Sequence, residues 1–65
     1  MSFEEYILNR KFGDSGIMVI EIRLENYWVK TDMSNPNWFT KRHFIDTIIS
    51  IGDKEIQEIY PEEFI

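Results

Sequence analysis

The stretch IMVIEIRLENYWVKT, residues 17–31, alternates apolar and polar positions with the period of two that marks a half-buried β-strand. Counting from Met18, the side chains of Met18, Ile20, Ile22 and Leu24 fall on one face, and those of Val19, Glu21 and Arg23 on the other. A two-residue turn at Glu25-Asn26 then sets a hairpin in which Leu24 faces Tyr27, Arg23 faces Trp28, Ile22 faces Val29 and Glu21 faces Lys30. The apolar pairs share the core face. An Arg–Trp contact and a Glu–Lys ion pair share the other, each worth roughly 0.2–1 kcal/mol. Asn26 suits the turn because asparagine tolerates the left-handed backbone of a type I′ turn.

Upstream, Ser2 and Glu5 have capping-box spacing, and Phe3, Tyr6, Ile7 and Arg10 recur at helical intervals, which predicts a short helix. The competing reading makes YILNRKF a strand folded back on residues 17–24. It would set Arg10 against Val19 and Asn9 against Ile20, a poor match of polar with apolar. GDSG at residues 13–16 reads as a loop, and TDMSNPN at residues 31–37 as a turn-rich connector in which Pro36 pushes Asn35 toward an extended conformation.

The stretch NPNWFTKRHFIDTIISIG, residues 35–52, admits two readings. As a helix it would be capped by Asn35, start with Pro36 and end at Gly52, with Trp38, Phe44, Ile45, Ile48, Ile49 and Ile51 on one broad face. Against this, residues 39–51 hold no Ala, Leu, Glu, Gln or Met, and six of the thirteen are Ile or Thr, whose branched side chains favour strands. The strand reading also continues well: a hairpin turning at Gly52-Asp53 sets Ile49 opposite Ile56, Ser50 opposite Glu55 and Ile51 opposite Lys54. A final strand would run to Tyr60, where Pro61 stops pairing, leaving Phe64 and Ile65 either tucked onto the core or exposed.

These elements predict a single domain over residues 1–65 that is mainly β. About four antiparallel strands form a small sheet curled into a barrel or half-barrel, with a short N-terminal helix. The alternative is α+β, with residues 36–51 as a helix packed on the sheet.

Length narrows the picture, because 65 residues bury only about 60% of their unfolded surface and give a core worth about 3–5 kcal/mol. Ten aromatics and eleven isoleucines make folding expected despite this. There is no cysteine, which excludes disulfides, thiolate metal sites and cysteine nucleophiles together. A reducing, cytoplasmic setting follows as an expectation, with self-association into a homo-oligomer as a further source of stability. No basic segment followed by an apolar one marks a secretory signal, and no apolar run approaches the ~20 residues of a membrane span, so a soluble protein without membrane contact is expected.

The net charge of −5 arises mainly in residues 53–65, where Asp53, Glu55, Glu58, Glu62 and Glu63 face Lys54 alone. This balance disfavours general nucleic-acid affinity, which depends on neutralising phosphates. The one basic and aromatic concentration is Trp38, Phe39, Lys41, Arg42 and His43, with Trp28 and Lys30 on the preceding hairpin. Those residues could stack bases and hold phosphates, or serve the core and local ion pairs with Asp32, Asp46 or the acidic tail. The five acids could dock on a basic surface or imitate phosphates, or simply keep an edge strand soluble.

Catalysis is not expected. A lone histidine, Ser15 or Ser50 with no supporting spacing, and a GDSG that lacks the P-loop Lys-Ser/Thr do not make an active site. No cofactor is expected, and Asp53, Glu55 and Glu58 lack the glycine and the spacing of a calcium loop.

ILNRKFGD, residues 7–14, resembles the opening ILSRKxGE of the carbon storage regulators, small dimeric β proteins of similar length that bind messenger RNA. The resemblance implies a first strand whose arginine, Arg10 here, holds RNA. It spans eight residues and starts a few residues late. The later basic strand of that family has no counterpart in the acidic KEIQEIYPEEF, so no site is carried over. The expected function is therefore a small soluble acidic interaction module that binds, and regulates or inhibits, a larger protein partner in an accessory or phage-type role. The alternative is a small β-barrel that binds nucleic acid through Trp28, Trp38, Phe39, Lys41 and Arg42.

Overall fold

In the computed structural model, which describes residues 1–12, 16–31 and 36–65 and only the backbone of Thr31, the chain is α+β. Helix α1 (Phe3–Leu8) leads into strands β1 (Lys11–Phe12), β2 (Ile17–Arg23), β3 (Asn26–Thr31) and β4 (Asn37–Thr40). Helices α2 (Lys41–Ile51) and α3 (Lys54–Ile59) follow, and then a 3-10 turn (Pro61–Phe64). The strands pair antiparallel in the order β1-β2-β3-β4 and leave β1 and β4 as edges, so the sheet is open. The expected barrel is corrected on this point, and the α+β alternative is the arrangement observed. The loop expected at GDSG, the connector over TDMSNPN up to Asn35 and the ion pairing with Asp32 lie largely outside the described residues.

Sequence and structure agree on α1: Ser2 Oγ accepts from the Glu5 backbone N–H at 3.2 Å, and Phe3 and Ile7 are buried. The strand reading of residues 6–12 survives only at its end, where Lys11 pairs with Met18 and Phe12 with Ile17. That is the register that would have set Arg10 against Val19.

The β2–β3 hairpin is present with a different turn. Leu24 and Glu25, at φ 46° and 67°, form the loop in place of Glu25-Asn26, and Arg23 pairs with Asn26, Ile22 with Tyr27 and Glu21 with Trp28. A bulge between Val19 and Glu21 shifts the register, so that Val19 pairs with Val29 and Met18 with Lys30. Because side chains alternate with period two, one inserted residue exchanges the faces of everything beyond it. Ile17 and Val19 therefore enter the core, while Met18 and Ile20, expected inside, are 42% and 44% exposed.

Residues 36–51 divide between the two readings. Asn37–Thr40 forms the short edge strand β4, with Tyr27 opposite Phe39 and Trp28 opposite Trp38. The helix starts at Lys41 under a Thr40 cap, whose Oγ1 accepts from the His43 N–H at 3.2 Å; the expected cap, Asn35, is outside the described residues. Gly52 ends the helix at φ 75°, as the helix reading requires and in place of the favoured hairpin turn. Five β-branched residues in α2 cost under about 0.7 kcal/mol each relative to alanine, roughly 2–3 kcal/mol in all. Burying Phe44, Ile45 and Ile48 against the sheet contributes about 1.5–3 kcal/mol each, and burial wins. The Gly52-Asp53 hairpin and last strand are likewise corrected: residues 54–59 form α3, with Ile56 buried.

One layer of helices thus covers one face of the sheet. Phe3, Ile7, Phe44, Ile45, Ile48 and Ile56 pack on Phe12, Ile17, Val19, Tyr27 and Val29 in a single buried cluster. Phe64 closes it edge-on to Phe3 at 5.9 Å, and Tyr60 Oη donates to the carbonyl of Met1 at 2.9 Å, while Ile65 stays exposed.

Two local features have measurable consequences. Leucine in a left-handed conformation costs about 1–2 kcal/mol, so replacing Leu24-Glu25 with Asn-Gly, the residues a type I′ turn prefers, is expected to stabilise the protein by about 1 kcal/mol. A rise in the urea midpoint at unchanged m-value checks this. The Tyr27 hydroxyl is fully buried with no hydrogen-bond partner among the described residues. Tyr27→Phe is expected to gain about 1 kcal/mol. Burial, and then the charges of Glu4, Glu63 and Glu25, push its pKa upward from 10.0. The folded state therefore keeps a proton that the unfolded chain releases, and stability present below pH 10 falls as pH rises above it. Alkaline urea titrations should show a shallower loss in Tyr27→Phe than in the parent.

Candidate functional site

The helices leave the opposite face of the sheet uncovered, and the alternation of the strands decides what it shows. Lys11, Met18 and Lys30 form one row across β1, β2 and β3. Glu21, Trp28 and Trp38 form a second across β2, β3 and β4, with Ile20 at the bulge between them. The two indoles pack with ring centroids 4.7 Å apart at an interplanar angle of 54°, and Trp38 remains 48% exposed. A solvent-facing sheet surface normally alternates to polar residues. Here Met18, Ile20, Trp28 and Trp38 form an apolar patch from β2 to the β4 edge.

The charges are segregated with the layers. Arg23 closes on Glu21 at 2.8 Å on the same strand, whereas Lys11 and Lys30 have no ion-pair partner among the described residues. The open face thus holds three bases against one acid. Residues 1–10 and 41–65, on the helical side, hold eight acids against four bases.

Of the basic and aromatic set read from the sequence, the structure brings Trp28, Lys30 and Trp38 together on this face and takes the others elsewhere. Phe39 turns to the other side of β4 and packs against the core. Lys41 Nζ lies 3.0 Å from Glu63 and 3.3 Å from Glu4, above the Phe3 ring, and the hydrogen bond to Glu63 leads in raising its pKa. Arg42 pairs with Asp46 at 3.5 Å and lines, with Leu24, Glu25 and Lys41, a groove of about 420 Å³ beside the hairpin tip. His43 is exposed on α2. Lys11, Met18 and Ile20 are members that sequence reasoning missed, because the bulge that turns β2 over leaves no mark in its alternation.

The acidic set also separates. Asp53 receives both Nη2 contacts of Arg10, at 3.2 and 3.0 Å, and Glu55 receives Nη1 at 2.8 Å. Arg10 Nη1 also donates to Tyr6 Oη at 2.8 Å, so this side chain, which the regulator resemblance would assign to RNA, is a clamp between α1 and α3. Glu63 is held by Lys41, and Glu58 and Glu62 are exposed. Among the described residues no group of three or more His, Asp or Glu stands where it could hold a metal ion, and no helix is long and apolar enough to cross a membrane.

The chain matches no model of a known protein family, no curated protein and no solved structure.

Proposed function

We propose that this protein is a small non-enzymatic interaction module that engages a larger partner through the uncovered face of its sheet, and regulates or inhibits that partner by occupying it. The observation that carries the reading is the Trp28–Trp38 pair, which with Met18 and Ile20 makes an apolar patch running from β2 to the β4 edge of that face. Tryptophan is enriched among the residues that dominate binding energy, and a polar rim around such anchors is usual. Lys11, Lys30 and the Arg23–Glu21 pair supply the rim here. The sequence favours a protein partner. Lys11 and Lys30, with no ion-pair partner among the described residues, favour a second reading, a nucleic-acid strand on the same face.

Site-directed photo-crosslinking tests the face itself. Benzoylphenylalanine in place of Trp38 should form an adduct in native-host cells that excess unmodified protein competes away and Trp38→Ala protein does not. The same probe in place of Ile59, exposed on α3, should form none. Adducts from position 59 alone would place the contact on the helical layer and reject the proposal.

A further inference from the structure

We infer that the occupant of the open sheet face is a single strand of nucleic acid, with bases stacked on Trp38 and Trp28 and phosphates held by Lys11 and Lys30. This rests on the reading that the open face is the contact surface, and adds the chemistry of what lies there.

The argument starts from charge complementarity. In a chain with twelve acids and seven bases, two lysines on one face with no carboxylate partner among the described residues are the groups to explain. They flank Met18 in a row across three strands. The aromatic row lies two residues along β3, at Trp28 against Lys30, a spacing of roughly 7 Å at the strand rise of about 3.4 Å per residue. Aromatic platforms beside a basic track are what sequence-tolerant single-strand binding needs, since every base has a π face.

The net charge of −5 does not oppose this, because among the described residues the acidic excess sits on the other layer. The molecule is 19 Å across its shortest axis, against a screening length of about 8 Å in physiological salt. A second copy fits less well, since pairing two open faces would bring Lys11 and Lys30 against their own like. An acidic protein surface would match the lysines and could cover the indoles, but it supplies flat π faces less regularly than a run of bases does. A duplex hides its base faces and offers nothing to the tryptophans.

Both of the chain's tryptophans lie on this face, so their intrinsic fluorescence reports its occupancy directly. Titration with oligothymidylate or oligouridylate of about ten nucleotides in about 20 mM salt is expected to quench it with saturation, at a Kd on the order of 10 µM. With two phosphates neutralised, log K should fall against log salt with a slope of about −1.4. Fluorescence polarisation of labelled oligonucleotide then gives the variants. Trp38→Ala should weaken binding roughly 5- to 150-fold, the loss of one stacked base, and Trp38→Phe should restore most of it. Lys11→Gln with Lys30→Gln should flatten the salt slope toward zero, whereas Lys54→Gln on α3 should change neither affinity nor slope. Far-UV circular dichroism confirms that each variant is folded.

Absence of binding at low salt, equal affinity for a duplex of the same length, or affinities that ignore both the Trp38 and the lysine changes would each overturn the inference. If position-38 crosslinks then carry only protein, the open-face reading stands and the nucleic-acid assignment falls. If neither oligonucleotide binding nor position-38 crosslinks occur, both fall.

Discussion

Phe44→Ala is expected to leave the protein largely unfolded at 25 °C. Phe44 is 2% exposed and makes edge contacts with Phe3, Phe12 and Tyr27, at ring-centroid distances of 6.5, 6.0 and 5.0 Å. It joins α1, α2 and the sheet through one ring. Truncating a buried phenylalanine costs about 3–5 kcal/mol, which equals the whole stability expected of a core this small. Phe44→Leu, which keeps more of the volume, should cost much less. Far-UV circular dichroism with urea titration reads both, and a cooperative, parent-like transition in Phe44→Ala would mean that the helices do not pack as described.

The second large effect is expected at Arg10. Its guanidinium bridges Asp53, Glu55 and Tyr6 Oη and lies 5.1 Å from the Phe12 ring centroid. Arg10→Met keeps the apolar stem and removes the charge, leaving Asp53, whose side chain is 12% exposed, without its cation. A loss of about 2–3 kcal/mol is expected, below that of a fully buried pair because both side chains retain some solvent. Adding Asp53→Asn should recover part of it by removing the stranded carboxylate, and a double-mutant cycle measures the coupling.

This cluster also carries an acid response. The hydrogen bond from Arg10, and then its charge, hold Glu55 below the ordinary glutamate value of 4.5. A depressed carboxylate contributes stability that is present above pH 4.5 and lost as pH falls through the lower folded value. In Arg10→Met that part of the acid transition should disappear, while Lys54→Gln should keep it.

The local signals that could be read directly were those whose cause is local. Ser2 capped α1, and Gly52 closed α2 as the less favoured helix reading had it, since a cap needs only a few residues and one backbone conformation. Tyr27 and Val29 reached the core face as their alternation required. The same alternation misled in β2. Both parities there are apolar, Met18 and Ile20 against Ile17 and Val19, and nothing in the order of residues marks a bulge. The type I′ turn misled for a related reason: Leu24-Glu25 is a poor turn pair, and its backbone is imposed by the strands on either side.

Residues 41–59 show the limit most plainly. Their isoleucine-rich composition argues for strands, and propensity differs by only tenths of a kcal/mol per residue. The sheet outweighs it, because the face formed by Ile17, Val19, Tyr27 and Val29 needs cover that two amphipathic helices supply. Of the candidate surface, Trp28, Lys30 and Trp38 were legible as residues but not as neighbours of Lys11 and Met18, which lie on strands distant in sequence.

By itself, the sequence determined a small acidic chain without cysteine chemistry, with a capped first helix, a hairpin over residues 17–31 and a break in regular structure at Gly52. Tertiary structure alone decided which face of that hairpin is buried, that residues 41–59 are helical, and that two tryptophans and two lysines with no ion-pair partner among the described residues share an open surface. Caps and turns are settled within a few residues of backbone, whereas burial is settled by whichever layer covers the sheet.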